Sequence, residues 1–288
     1  MSIYNSINTN RQAVFAMQTL NFNTTELNGV QKRVSTGFRV ADSRDDTGAF
    51  SVAQAVRSDI AGVTAVNEQL GGARGILATT LSALGEVSNT MQQIRTTLTR
   101  LGDSNVTGDS RLQYQEQFNS LVLQTRNFLA DATYNGRTLM PTTGTAGGSI
   151  SGIRNESGAQ YSIAGVAAST LVIGGTMSGP VVIPTTAAEA IGYFSGAITS
   201  TGTNLFSVEN RVNNALASFG ASAKFVDNQV TFNTKRIDAL TDGLGALVDA
   251  DLAKESARMT ALQTRQELSL QTLSMANQTP QKLLSLFR

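Results

Sequence analysis

The sequence predicts a mainly α-helical protein. Both chain ends build a long, antiparallel, coiled-coil-like bundle, and a small β-rich insertion sits in the middle. Three observations predict this. Apolar residues recur every seven positions through long stretches of both halves. The four prolines are Pro141, Pro180, Pro184 and Pro280, so 1–140 and 185–279 hold no proline to break a helix. Between them, 140–185 is rich in Gly, Thr and β-branched residues in short runs.

The first element is an amphipathic helix carrying Ile7, Val14, Leu20, Leu27, Val30 and Val34. It ends at Thr36-Gly37, where glycine suits a left-handed cap. Ser43-Arg44-Asp45-Asp46 reads as a capping box, which starts the next helix just after Ser43. That helix holds one apolar row: Val56, Val63, Leu70, Leu77, Leu84, Met91 and Leu98. A second row is Val52, Asp59, Val66, Ala73, Thr80, Val87, Ile94 and Leu101, with only Asp59 and Thr80 polar. Gly102-Asp103-Ser104 ends it. A rod of about 55 residues, at about 1.5 Å each, is roughly 80 Å long. A return helix follows, with Tyr114, Phe118, Leu121, Thr125 and Phe128 on one face, and Asn135-Gly136 closes the unit as a turn.

The middle opens with a Gly- and Thr-rich connection, 142–149. Tyr161 to Val166, Thr170 to Ile173, and Pro180 to Pro184 read as strands or edge segments. A disordered linker is the alternative.

The C-terminal half repeats the device. Leu205, Val212, Phe219, Val226, Asn233, Leu240 and Leu247 form one row, and Leu216, Ala223, Val230, Ile237 and Leu244 the other. Thr241 to Gly245 is expected to weaken the helix. A last helix from about Asp249 carries Leu252, Met259, Leu262, Leu270 and Leu273, flanked by Leu268 and Met275. It is expected to stop at Thr279-Pro280, because the residue before proline disfavours helix.

This gives a three-part organisation. Residues 1–42 with 246–288 form terminal helices, 43–140 with 200–245 form rods, and 141–199 form the insertion. The terminal helices are rich in Asn and Gln and have wide apolar faces. A single pair of them leaves apolar surface uncovered, which points to assembly. A four-helix bundle with all contacts inside one chain fits the periodicity equally.

Composition narrows the function. The chain has 22 Lys and Arg against 21 Asp and Glu, and no Cys, His or Trp. Disulfides, Cys/His zinc sites, thiol nucleophiles and Ser–His–Asp triads are excluded. A net charge of +1 argues against nucleic-acid binding. No apolar run suits membrane insertion, and the opening residues lack the pattern of a cleavable signal peptide. No catalytic residue, cofactor or metal is expected. Asp45/Asp46 and Asp249/Asp251 read as solvated helix ends. The N-x-S/T matches at Asn23, Asn105 and Asn155 are what an Asn- and Thr-rich chain produces by chance.

Several motifs, in order, resemble one family. Arg33-Val34-Ser35-Thr36-Gly37-Phe38-Arg39-Val40, followed by Asp42-Ser43-Arg44-Asp45-Asp46, is similar to the flagellin N-terminal signature R-L-S-S-G-L-R-I-N-S-A-K-D-D. Ile7-Asn8-Thr9-Asn10 also matches. Asp249-Ala250-Asp251-Leu252-Ala253-Lys254-Glu255 resembles D-A-D-x-A-x-E. The run from Ala276-Asn277-Gln278-Thr279-Pro280-Gln281 to Arg288 resembles A-N-Q-x-P-Q-x-x-L-x-L-L-R. The likeness covers about 1–140 and 200–288, leans towards the alphaproteobacterial type, and does not extend to the insertion.

The resemblance implies a non-enzymatic subunit of the extracellular bacterial flagellar filament. The implied partners are further copies of itself, the flagellar cap and hook-associated proteins, an export chaperone and the flagellar type III export apparatus. Packing between subunits is expected at Ile7, Val14, Leu20, Leu27, Val34, Leu273, Leu283, Leu284, Leu286 and Phe287. A hinge or domain interface is expected at Arg39, Asp42, Arg44, Asp45, Asp46, Asp249 and Asp251. The innate-receptor stretch Q-R-x-R-E-L of many flagellins is here Gln92-Gln93-Ile94-Arg95-Thr96-Thr97, which implies weak or absent receptor activation. The rival readings are a hook–filament junction protein, a chemoreceptor-type signalling hairpin, and an enzyme using the insertion's acids, Glu156 and Glu189.

Overall fold

A computed structural model of the chain describes residues 10–142, 148–173, 177–196 and 204–285, with side chains described as far as Gln278. In chain order the elements are α1 (Arg11–Thr36), α2 (Thr47–Leu101), α3 (Gly108–Asp131), β1 (Ile150–Ile153), β2 (Gln160–Ile163), α4 (Ala187–Ser195), α5 (Leu205–Val248) and α6 (Leu252–Ser285). This is the mainly helical class with a small central sheet that the heptads predict. Two compact units divide the chain: Met1–Ile60 with Asp238–Arg288, and Ala61–Ile237. Residues 148–196 therefore pack in the same unit as most of the rods.

The second unit is organised by the heptad rows. Val63, Leu70, Leu77, Leu84, Met91 and Leu98 are at most 2% exposed. Leu205, Val212, Phe219 and Val226 of α5 are equally buried. Together with Phe118, Leu121 and Leu129 of α3, most of these form one continuous core. The polar members bond within their own helices, although the buried Asn233 Nδ2 has no partner among the described residues. Thr80 Oγ1 donates to the Ile76 carbonyl at 2.7 Å, and Asn233 Oδ1 accepts from Gln229 at 3.1 Å. At Thr80, back-bonding lets a hydroxyl occupy a dry row with its proton satisfied.

The central segment keeps one of its three predicted strands. β1 and β2 pair antiparallel with Ile150 opposite Ile163 and Gly152 opposite Tyr161. The hairpin tip is tied down by side chains of the rods. Ile153 N–H donates to Gln69 at 3.1 Å, Gln229 donates to the Arg154 carbonyl at 3.3 Å, and Arg236 grips both oxygens of Glu156.

Thr170 to Ile173 is not a strand. A 3₁₀ turn at Ala168–Thr170 instead drives Leu171, Val172 and Ile173 into the core. The β-branched character of Val172 and Ile173 serves burial, which periodicity cannot distinguish from pairing. Pro180 to Pro184 has no regular secondary structure and joins no sheet among the described residues. Prolines remove donors at both ends, and side chains take the segment's carbonyls. Arg126 donates to Gly179 at 2.6 Å, Gln115 to Pro184 at 2.9 Å, and the buried Tyr193 hydroxyl to Val182. α4, which the β-rich reading omits, starts at a capping box between Thr186 and Glu189 and stops at left-handed Gly196.

The Asn135-Gly136 turn has both residues at positive φ, 50° and 72°. It lays the Tyr134 ring on Gly75, where an added Cβ would meet ring atoms at 2.7–3.0 Å. Only glycine admits that approach.

In the first unit, three helix boundaries differ from expectation. α2 starts at Thr47, and its cap is Asp46, whose Oδ1 accepts the Ala49 N–H at 3.0 Å. Ser43 cannot cap, because Asp45 folds back to accept the Ala41 and Asp42 N–H groups and holds 42–45 in a turn. α5 runs unbroken through Gly243 and Gly245 to Val248. Each glycine costs about 1 kcal/mol in a helix, but Leu244, Leu247 and Val248 pack against Val40 and Ala53 and offset it. α6 continues through Pro280 to Ser285.

Candidate assembly surface

α1 and α6 run antiparallel in the first unit. Successive cross-contacts step up one helix as they step down the other: Asn10 with Ala276, Asn23 with Ser269, Glu26 with Arg258, and Arg33 with Glu255. The buried line of α6 is Glu255, Leu262, Ser269 and Ala276, spaced by seven, and that of α1 is Ala16, Asn23 and Val30, also spaced by seven. The apolar share is small: Leu27, Val30 and Leu262, with Val34 and Met259 beside them. Elsewhere polar atoms meet in the seam. Asn23 Nδ2 donates to Ser269 Oγ at 2.9 Å, and Gln266 donates to Thr24 at 3.3 Å. A search for apolar rows misses Asn23, Glu255, Ser269 and Ala276. Glu255, Ser269 and Ala276 do lie at seven-residue steps from Leu262, the one large apolar member of that line.

Of the residues expected to pack between subunits, Leu27 is buried inside the chain and Val34 lies half-buried beside it. Leu20 and Leu273 are half-buried, and Val14 is exposed. Ile7, Leu286 and Phe287 lie outside the described residues. Leu283 and Leu284 belong to α6, but their side chains lie outside the described ones.

The most exposed apolar side chains of the pair are Phe15 and Phe22, which the heptads do not mark. Phe15 is 72% exposed and Phe22 65%; Met17, Leu268, Leu270 and Met275 are each at least half exposed. At about 100° per residue, Phe15 and Phe22 project roughly 110° to one side of the buried line of α1, and Met17 to the other. On α6, Leu268 and Met275 project to one side and Leu270 to the other. Antiparallel pairing puts Phe15, Phe22, Leu268 and Met275 on one edge, and Met17 and Leu270 on the opposite edge. The pair thus carries two different apolar edges.

The seven expected hinge residues converge on one connector. Gly37, at φ 74°, caps α1, and its N–H returns to the Arg33 carbonyl. Phe38 bridges Asp249 in antiparallel fashion. Arg39 N–H donates to Val248 O at 2.7 Å, and Ala250 N–H to Gly37 O at 2.9 Å. The Arg39 guanidinium donates to the Leu247 carbonyl. Lys32 reaches Asp42 at 2.7 Å and Asp45 at 2.8 Å. These hydrogen bonds hold both carboxyls below the usual carboxylate range and raise the ammonium above its ordinary value. Arg44 contributes its backbone N–H to Asp42. Asp46 caps α2, and Asp251 caps α6 by accepting from Ala253 and Lys254. Asp249 packs its carboxylate over Gly245. Asp42 and Asp45 act as ion-pair partners of Lys32, and Asp46 and Asp251 as caps at the positive ends of helices.

Among the described residues, no helix is long and apolar enough to cross a membrane. The bacterial flagellin N-terminal helical region matches residues 7–145, and the bacterial flagellin C-terminal helical region matches residues 193–287. The chain is 34% identical over 287 residues to flagellin FljO of Caulobacter vibrioides, covering 99% of both chains. It is 33% identical to a flagellin of Brucella melitensis, covering 98% of this chain and 99% of that one. With flagellin FljM of Caulobacter vibrioides it shares 32% identity over 99% of each.

Proposed function

The chain belongs to the bacterial flagellin family, and from that premise we propose that it polymerises through the two apolar edges of its α1/α6 pair. It is a structural subunit of the extracellular flagellar filament, the propeller of motility. The observation that carries the surface assignment is the exposure of Phe15 and Phe22 beside Leu268 and Met275. Two unlike edges favour a heterologous contact, in which each copy offers one edge and receives the other. Such a contact repeats along a polymer instead of closing as a pair.

In this reading Leu20 and Leu273 border the edge of Met17 and Leu270, Val14 lies on the outer face, and Leu283, Leu284, Leu286 and Phe287 are further apolar candidates for contact between subunits. Leu27 and Val34 instead hold α1 to α6 within the chain. The connector containing Arg39, Asp42, Arg44, Asp45, Asp46, Asp249 and Asp251 serves as the hinge or domain interface. The terminal helices form the inner core, the rods the outer core, and the central segment the outer surface. The cap, the hook-associated proteins, the export chaperone and the type III export apparatus are the further partners of this role. The chain works without a catalytic residue. Both matched regions carry flagellin descriptions, which favours the filament subunit over a hook–filament junction protein.

The test is seeded growth. Purified protein added to sheared filament fragments should lengthen them under the electron microscope, and removing 281–288 should stop it. Fragments that stay short with the intact chain would reject the reading.

A further inference from the structure

Pro280 lies inside α6. Proline carries no N–H, so the carbonyl four residues earlier loses its helical partner. That carbonyl belongs to Ala276, a residue only 8% exposed. It is not left empty. Asn10 Nδ2 donates to it at 2.8 Å, across 266 positions of sequence. The same side chain uses its oxygen to accept the Ala13 N–H at 3.1 Å and so caps α1.

We propose that Asn10 and Pro280 form a register latch: Pro280 exposes one acceptor on α6, and Asn10 reads it. The carbonyls of Leu262 and Ser269, which share the buried line of α6, are followed four residues on by Gln266 and Leu273, each with an N–H to give. Slipping α1 by one heptad would bring Asn10 to the carbonyl of Ser269, already taken by its own helix. The seam contains little bulky apolar packing to prevent that slip. The latch therefore fixes axial position where side-chain volume does not. Asn23 with Ser269 supplies a second polar pin inside the seam. Among the common capping side chains, Asn pairs the acceptor of Asp with a separate two-hydrogen donor, which both tasks need. The inference deepens the filament-building reading, because correct register is what aligns Phe15 with Met275 and Phe22 with Leu268 along one edge.

Four chains test it: wild type, Asn10→Asp, Pro280→Ala, and the double variant. Asp keeps the cap acceptor and loses the donor. Pro280→Ala returns an N–H to the Ala276 carbonyl. Seeded elongation of Asn10→Asp should leave about fivefold or more unassembled protein than wild type. Pro280→Ala removes the acceptor that Asn10 reads and so should elongate less well than wild type, but better than Asn10→Asp, which also orphans the Ala276 carbonyl. The double variant should match Pro280→Ala. Amide exchange over 11–25 gives a second readout, taken in filaments where the wild type elongates and in the soluble chain where it does not. It should speed up most in Asn10→Asp and fall back in the double variant to the rate of Pro280→Ala. An Asn10→Asp chain that behaves like wild type, or a defect of equal size in the Pro280→Ala background, overturns the latch. A wild type that fails to elongate rejects the filament-building reading instead, and the exchange pattern still decides the latch.

Discussion

The rods of the second unit and the terminal helices of the first share a seven-residue spacing and fill it differently. In α2 the spokes are Leu70, Leu77, Leu84, Met91 and Leu98, all dry. In α6 they are Glu255, Leu262, Ser269 and Ala276. The period sets which residues face the partner helix. What occupies those places decides whether the pair is stable alone. Leucine spokes bury enough apolar surface to close a core. A seam of small and polar spokes holds register but contributes little hydrophobic free energy, and it leaves Phe15 and Phe22 in solvent.

The contrast is easiest to break in the rods. Phe219→Ala empties a fully buried position and should cost about 3–5 kcal/mol in denaturant unfolding of the soluble chain. The matching change in the first unit is Phe22→Ser. It should leave that unfolding curve in place, because Phe22 is exposed in the single chain. It should weaken subunit addition by about 1.5–3 kcal/mol, read as the concentration left unassembled. An equal loss of soluble stability from both variants would erase the distinction.

Acid sharpens the comparison further. Asp42 and Asp45 lie below the ordinary carboxylate value of 3.8 because Lys32 hydrogen-bonds to them. Their contribution is present at neutral pH and fades as pH falls below about 4 through the lowered values. Lys32 is raised above 10.5, so its share persists up to that pH and is lost as pH climbs through the raised value. Lys32→Met should flatten both limbs of the pH dependence of amide exchange in 36–47. Both limbs should shrink in high salt, since these groups are solvent-exposed.

The smallest effect belongs to the rim pair of Arg258 with Glu26, 2.8 Å apart and open to solvent. Arg258→Gln should change either stability or assembly by about 0.5 kcal/mol at most.

These differences also explain what the sequence reveals. α2 and α5 are legible because nearly every spoke is apolar, and Thr80 and Asn233 interrupt without shifting the period. The seam of α6 is not, because Glu255 and Ser269 resemble surface residues until Arg33 and Asn23 are brought opposite them. Gly243 and Gly245 look like a break, yet Leu244, Leu247 and Val248 find a pocket against Val40 and Ala53. Pro280 looks like a stop because its missing donor is a local fact, whereas the replacement, Asn10, comes from the other end of the chain. In the middle, β-branched residues signal burial at Val172 and Ile173, and only Tyr161 to Ile163 signals pairing. On α6 the edge residues Leu268, Leu270 and Met275 are legible on and beside its apolar face, whereas Phe15, Met17 and Phe22 are not, because they fall off the row of α1.

The buried Tyr193 hydroxyl, donating to the Val182 carbonyl, gives the molecule an optical label. The chain has no tryptophan, and four of its five tyrosines, Tyr114, Tyr134, Tyr161 and Tyr193, lie in the second unit. Burial pushes the ionisation of Tyr193 and Tyr161 above the ordinary phenol value. Near-ultraviolet absorbance and emission therefore watch the rods and remain almost silent about the terminal helices. At alkaline pH, the fraction of phenols that resist ionisation reports how much of the rod core is intact while the chain ends open, close or polymerise.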